Sequence, residues 1–114
     1  MEEFVTKIKN EDSYLLKYYE YGEAFYGSFR GMRYRLSRDP MEAVWFKSME
    51  EKQSGKLVAC IWPEPFSFDK TDESLKVYAE FPFTEEGKES MVEWLNQKYK
   101  ERQEEWESHI GKLI

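Results

Sequence analysis

The stretch that most limits the possible folds is residues 18–36, YYEYGEAFYGSFRGMRYRL, which mixes aromatic residues, glycines and arginines. With a helical repeat, apolar side chains recur at steps of three and four residues without a shift of frame. As a strand, the same stretch needs a one-residue slip at Gly31, which a β-bulge could supply. The residues on the helical stripe are Leu15, Tyr18, Tyr19, Phe25, Tyr26, Phe29, Met32 and Leu36.

The ends of this stretch favour the helix. Asp12 or Ser13 can cap its start, arginines suit its last turn, and Pro40 ends it. Against the helix, each of its three glycines costs about 1 kcal/mol relative to alanine, and tyrosine and phenylalanine favour strands. The sequence therefore predicts a long N-terminal helix over residues 13–38, with bulged strands over residues 13–37 as the alternative.

The middle of the chain predicts a β-hairpin. Residues 43–48, AVWFKS, predict one strand, and residues 56–64, KLVACIWPE, predict another with apolar residues on both faces. The charged link MEEKQSG between them ends in glycine and predicts the hairpin loop. A lone hairpin is marginally stable in water, so residues 3–8 are a candidate third strand.

Two helices are predicted after the prolines at 63 and 65. Asp69 or Thr71 can cap a short helix within residues 69–81, although VYAEF would also suit a strand. Thr84 begins a long amphipathic helix with acidic residues in its first turn. The predicted fold is a single α+β domain over residues 1–114: long N-terminal helix, β-hairpin, short helix and long C-terminal helix. Its tail, about residues 100–114, could project from the domain.

Composition limits the class of protein. The net charge is −6 over 114 residues, which disfavours non-specific attraction to nucleic acid. The single cysteine, Cys60, excludes an intrachain disulfide, and small secreted domains usually carry several cysteines. The N-terminal residues lack the apolar run of a signal peptide, and no stretch approaches the roughly 18 apolar residues of a membrane span. These features predict a cytoplasmic protein without a membrane partner.

Sequence motifs for catalysis are not apparent. His109 is the single histidine and Cys60 the single cysteine, whereas a zinc site needs about four ligands. The glycine-rich segments GEAFYG and GSFRG lack the lysine and spacing of phosphate-binding loops. We therefore predict no catalytic residue, metal or cofactor, and a non-enzymatic protein is favoured. No motif identifies a family of known function.

A cluster of four arginines is the most suggestive feature of this acidic chain. The functional interpretation is that they receive an anion: a phosphate, the carboxylates of a partner, or nucleic acid. The favoured alternative is that they pair with the protein's own acids and complement the end of the predicted helix. On that helix, two glycines and three of the arginines, Arg30, Arg35 and Arg38, would lie opposite the apolar stripe. The aromatic segment WPEPFSF adds a docking edge or pocket rim, unless its rings close over the core. The candidate binding residues are Arg30, Arg33, Arg35, Arg38, Gly27, Gly31, Tyr26, Trp62 and Phe66.

These features favour a protein-interaction or regulatory domain that recognises a protein partner or a second copy of itself. Apolar residues near the C-terminus suit dimerisation or a partner groove: Trp106, Ile110, Leu113 and Ile114. The alternative is a binder of a small anionic or nucleotide ligand, with the arginines as anion contacts and the tyrosines as walls. A nucleic-acid-associated protein is the third and least favoured hypothesis.

Overall fold

The structure is a computed structural model that describes residues 16–110. Its elements follow in chain order: α1 (Leu16–Tyr19), β1 (Phe25–Phe29), β2 (Met32–Asp39), α2 (Met49–Lys52), β3 (Lys56–Pro63), a 3₁₀ turn (Glu73–Leu75), β4 (Val77–Pro82), α3 (Glu85–Glu101) and α4 (Gln103–Ser108). The four strands form one antiparallel sheet in the order β1-β2-β3-β4, so each strand pairs with its neighbour in the chain.

One face of this sheet and the C-terminal helices enclose the core. Directly paired residues share a face, and the register aligns Leu36 with Ala59 and Ala59 with Ala79. Alternate residues of β2 and β3 on this face pack against α3 and α4. The buried core residues are Tyr19, Met32, Tyr34, Leu36, Leu57, Ala59, Ile61, Phe83, Met91, Val92, Leu95, Tyr99 and Trp106.

The predicted long N-terminal helix is wrong. Within the described residues, α1 has four residues, and residues 25–39 form the β1–β2 hairpin. Phe29 pairs with Met32, so Arg30 and Gly31 form a two-residue turn with φ values of 50° and 95°. Positive φ at both central residues is what a type I′ hairpin turn requires. The apparent slip of alternation at Gly31 is therefore a chain reversal, not a bulge or a helical turn.

Pairing with β3 explains why strands replace the helix here. As the second strand of the sheet, β2 hydrogen-bonds to β1 on one side and to β3 on the other. Its alternation buries Met32, Tyr34 and Leu36 completely or nearly so. A helix at the same place would satisfy its own backbone but would leave β3 without that neighbour.

The predicted strand over residues 43–48 is also wrong. The amides of Val44 and Trp45 donate to the Glu20 carbonyl at 2.6 Å and 3.1 Å, and Ala43 makes one isolated bridge with Tyr21. The link that follows is not a simple hairpin loop. It contains α2, whose start is capped by Ser48. The hairpin partner of β3 on this side is therefore β2.

The short helix predicted within residues 69–81 is wrong as well. Asp72 caps only a 3₁₀ turn, Glu73–Leu75, by accepting from the Ser74 amide at 2.9 Å. The chain then enters β4, which confirms the strand alternative for VYAEF. Its residues alternate between half-buried and exposed, as expected for an edge strand of the sheet.

The predictions for β3 and for a helix starting after Thr84 are confirmed. Thr84 accepts from the Gly87 amide at 2.9 Å, which caps α3. The helix stops at Arg102, and α4 turns so that Trp106 is buried and its indole donates to the Lys98 carbonyl at 3.1 Å. Among the apolar residues assigned to a tail, Trp106 thus belongs to the core and Ile110 is half-exposed.

Two parts of the prediction lie outside the described residues: the candidate strand at residues 3–8, and Leu113 and Ile114 at the C-terminus. Within residues 16–110, no helix combines the length and apolarity needed to cross a bilayer.

Candidate functional site

The sheet face that points away from α3, called the outer face here, carries polar and aromatic side chains. Register fixes its members, because Tyr26 pairs with Arg35, Arg35 with Cys60, and Cys60 with Tyr78. The residues of the outer face are Tyr26, Ser28, Arg33, Arg35, Ser37, Val58, Cys60, Trp62, Tyr78 and Glu80.

The connection between β3 and β4, residues 64–76, folds back across the outer face. Phe68 is its central contact: the ring meets Trp62 edge to face at 5.5 Å. The same ring lies 4.8 Å from the Arg35 guanidinium and 3.9 Å from the Lys76 ammonium. The Trp62 indole donates to the Phe66 carbonyl at 2.7 Å, which ties the connection to β3.

A cavity of about 290 Å³ lies between the connection and the strands. Its walls combine aromatic rings with one guanidinium and one carboxylate. Drug-sized ligands occupy pockets of roughly 300–1,000 Å³, so this one suits a small molecule. The lining residues are Tyr26, Gly27, Arg33, Tyr34, Trp62, Ser67, Phe68 and Asp69.

Arg33 is the cation of this cavity. It is half-buried, and its side chain forms no ion pair or hydrogen bond with any residue between 16 and 110. Its Nε atom is fully buried and lacks an acceptor within that part of the chain. A buried donor left without a partner costs about 1–3 kcal/mol, and more when the group is charged. Arg33 is therefore the side chain of the outer face that most requires an anion.

Arg35, next to it on the outer face, is already engaged. Its Nε donates to the Tyr26 hydroxyl at 3.0 Å, and its terminal nitrogens donate to Ser37 Oγ at 3.4 Å and Met41 Sδ at 3.0 Å. The guanidinium also lies between the rings of Tyr26 and Phe68, at 5.7 Å and 4.8 Å. Arg35 thus holds two walls of the cavity in place.

Arg38 is on the other side of the sheet. It is 1% exposed, and its guanidinium donates to the backbone carbonyls of Pro40, Glu51 and Lys52 at 2.8–3.3 Å. It also lies over the Phe83 ring at 5.4 Å. Cations stabilise the carboxyl end of a helix, and here Arg38 binds the last carbonyls of α2. Its role is structural.

The four predicted arginines therefore do not converge on one site. Arg30 lies in the β1–β2 turn over the Phe29 ring at 5.6 Å, and only Arg33 of the four lines the cavity. The predicted residues that the structure does bring together are Tyr26, Gly27, Arg33 and Trp62.

Gly27 and Gly31 have packing roles. A Cβ on Gly27 would lie 2.6 Å from the Tyr34 ring, and one on Gly31 would lie 1.9 Å from the Trp106 carbonyl oxygen. Phe66 contributes its backbone carbonyl, while its ring is about half exposed. Sequence reasoning missed four residues that line the cavity, Tyr34, Ser67, Phe68 and Asp69, although Ser67 and Phe68 belong to the aromatic segment that it identified.

Electrostatics on the outer face disfavour a reactive thiol. Burial raises the pKa of Cys60 to about 11, so the thiol is protonated at neutral pH. Burial and a hydrogen bond to Glu73 raise the pKa of Tyr78 to about 12. The hydrogen bond from Lys76, followed by that from Tyr78, lowers the pKa of Glu73. No group of three or more metal-ligating side chains occurs within residues 16–110.

A second cavity of about 410 Å³ lies at the other end of the outer face. Its two arginines, Arg35 and Arg38, already donate to groups within the protein. Of its two acids, Asp39 and Glu80, Glu80 pairs with Lys56 at 2.9 Å. Because both of its cations have partners, the Arg33 cavity is the better candidate for an anion-binding site.

Comparisons with known proteins add nothing to this assignment. No protein-family model, curated protein or solved structure matches the chain.

Proposed function

We propose that the protein binds a small anionic ligand in the outer-face cavity, with Arg33 as the anion contact. The observation that carries this proposal is a half-buried guanidinium that lines the cavity without an acceptor among residues 16–110. A carboxylate or phosphate group would satisfy it, since both match the planar fork of an arginine.

The walls of the cavity suit a ligand with an aromatic or other planar group. Tyr26, Trp62 and Phe68 offer ring surfaces, and Arg35 fixes two of those rings. The proposed role is binding without chemistry, because the raised pKa of Cys60 keeps the thiol protonated at neutral pH. A cytoplasmic location, inferred from the single cysteine, is part of this proposal.

A thermal-shift screen tests the proposal. The panel contains inorganic phosphate, aromatic monocarboxylates, nucleoside monophosphates and a short single-stranded oligonucleotide. A ligand that binds the folded state should raise Tm with concentration, adding about 2.7 kcal/mol to the free energy of unfolding at one hundred times its Kd. Arg33→Gln should abolish the rise. Lys100→Gln is the matched control, because it removes one positive charge from the exposed side of α3.

Two results would count against this function. In the first, no anion of the panel raises Tm. In the second, the rise is the same in Arg33→Gln as in the unmodified protein. Steeply salt-dependent binding of the oligonucleotide alone would instead support the nucleic-acid hypothesis.

A second candidate function, self-association, is favoured by one exposed surface. We call Tyr21, Trp45, Phe46 and Met49 the aromatic patch, since all four side chains are at least half exposed. Tyr21 stacks on Trp45 at 6.2 Å, and Trp45 meets Phe46 at 5.4 Å. Exposed aromatic clusters of this kind are typical of protein-binding surfaces.

The occupant that best fits the aromatic patch is a second copy of this chain. Lys47 and Glu50, both next to the patch in sequence, carry opposite charges. A twofold axis that passes midway between these two residues would place Lys47 of each copy near Glu50 of the other, because twofold interfaces are self-complementary.

A further inference from the structure

The outer-face cavity carries a negative charge as well as a positive one. Asp69 lines it together with Arg33. Asp69 forms no ion pair and no hydrogen bond with its side chain within residues 16–110, and neither does Arg33. Two opposite charges therefore share one small cavity without neutralising each other.

The segment that carries Asp69 is held in place. The Ser67 carbonyl accepts two hydrogen bonds, from the Lys70 amide at 3.2 Å and from the Thr71 hydroxyl at 2.7 Å. Thr71 is buried, and Phe68 is fixed by its contacts with Trp62 and Arg35. Asp69 lies between these anchored residues, so its backbone position is defined by the fold.

Resting on the proposed function, we propose that the cavity binds a zwitterion: an amino acid with an aromatic side chain. Its carboxylate would bind the Arg33 guanidinium, and its ammonium group would bind the Asp69 carboxylate. Asp69 is exposed, so a ligand with only an anionic group would leave its carboxylate to water and would feel its repulsion. A purely cationic ligand would leave the buried Nε of Arg33 without an acceptor and would be repelled by the guanidinium.

The remaining walls select the aromatic side chain. Trp62 and Phe68 already contact each other edge to face, and Tyr26 closes the cavity on the β1 side. A ligand ring can add to this cluster in the same offset or edge-to-face manner. A cavity of about 290 Å³ accommodates a single amino acid better than a dinucleotide.

Calorimetric titration of the full chain with three matched compounds tests this inference. L-phenylalanine carries both charges, 3-phenylpropanoate lacks the ammonium group, and 2-phenylethylamine lacks the carboxylate. The affinity for L-phenylalanine should exceed the affinity for either analogue by about tenfold or more, since each analogue loses one charge-assisted hydrogen bond. In Asp69→Asn, L-phenylalanine should bind about tenfold more weakly, while 3-phenylpropanoate binds unchanged or more tightly.

Asp72→Asn is the control for charge on the same connection, because asparagine can still accept the Ser74 amide and Asp72 does not line the cavity. It should leave both affinities unchanged. The inference is overturned if the unmodified protein binds 3-phenylpropanoate as tightly as L-phenylalanine, or if Asp69→Asn does not alter their ratio. Arg33-dependent binding of 3-phenylpropanoate in that case would leave the proposed function standing. Failure of all three compounds overturns the inference, and failure of the whole anion panel removes the proposed function too.

Discussion

Arg33, Arg35 and Arg38 all belong to β2, yet their guanidinium groups have different surroundings. Arg38 faces the core side and donates to the carbonyls that end α2. Arg35 faces outward and is held between Tyr26 and Phe68. Arg33, on the same face, has no acceptor within residues 16–110. Side-chain alternation along the strand thus puts Arg38 on the core side and both Arg33 and Arg35 on the outer face, where Arg35 is already engaged and Arg33 is available to a ligand.

Also at the residue scale, the titration of Cys60 should lower the free energy of unfolding as the pH becomes alkaline. Its pKa is raised from 9.0 to about 11 by burial, so the unfolded chain loses this proton at lower pH than the folded protein does. The contribution of the protonated Cys60 thiol to the free energy of unfolding is therefore fully present below about pH 9 and is lost as the pH rises toward 11. We expect Cys60→Ala to reduce the fall in the free energy of unfolding across this range, measured by urea denaturation.

Tyr78 should also lower the free energy of unfolding at alkaline pH, because its pKa is raised from 10.0 to about 12 in the folded protein. Some alkaline loss of stability should therefore persist in Cys60→Ala and decrease further when Tyr78→Phe is added. Val58→Ala is the control, since it removes apolar volume from the same face but no titratable group. An unchanged pH profile in Cys60→Ala would contradict the assigned role of the thiol.

At the scale of elements, the β1–β2 turn depends on a glycine. Gly31 has φ of 95°, and a Cβ there would lie 1.9 Å from the Trp106 carbonyl oxygen. We expect Gly31→Ala to lower the free energy of unfolding by about 2 kcal/mol or more, because backbone strain and a clash with backbone add. Urea denaturation measures the loss.

Ser28→Ala in β1 is the matched control for this turn, because Ser28 is an exposed residue two positions before it. For such a surface substitution, we expect the free energy of unfolding to change by no more than about 0.5 kcal/mol. If Gly31→Ala lowers the free energy of unfolding as little as Ser28→Ala does, the turn does not approach α4 as closely as described.

The hairpin was missed because its turn lacks the usual sequence signal. Asn-Gly and Asp-Gly mark type I′ turns, whereas Arg30 occupies the first position here with φ of 50°. The aromatic residues of both strands also happen to satisfy a helical repeat. By contrast, β3 has apolar residues on both parities and α3 has a clear threonine cap, so local patterns were sufficient for both.

The candidate site was predicted in part and for the wrong reason. Gly27 was placed opposite the apolar stripe of a helix that carried Tyr26 on that stripe, but it is strand pairing that brings Tyr26, Gly27 and Arg33 near Trp62. Asp69 could not be identified as part of the site, because its position depends on the connection that folds back over the sheet. No local pattern determines that path.

At the scale of the whole molecule, the sheet separates two environments. One face and the helices form the apolar core, and the other face carries the proposed ligand site. The aromatic patch comes from the segments on either side of the β1–β2 hairpin: Tyr21 precedes it, and the other three residues follow it. Self-association and ligand binding are therefore separable by substitution.

Sedimentation over a wide range of concentration tests the self-association. The unmodified chain should form dimers as concentration rises, and a variant with Trp45→Ser and Phe46→Ser should stay monomeric, because removing central aromatic residues costs most at an interface. Phe66→Ser is the control: its ring is also more than half exposed but lies outside the aromatic patch. A monomeric unmodified chain at every concentration would reject this second function.

The turn at Gly31 lies against Trp106, in the last helix described here. A contact between an early hairpin and a late helix cannot form while the chain is still being synthesised up to its middle. On the ribosome, the core-facing side chains of β1 and β2 therefore lack their partners in α3 and α4 until those helices have emerged. A chaperone that holds the nascent chain during this interval would lower the risk of aggregation.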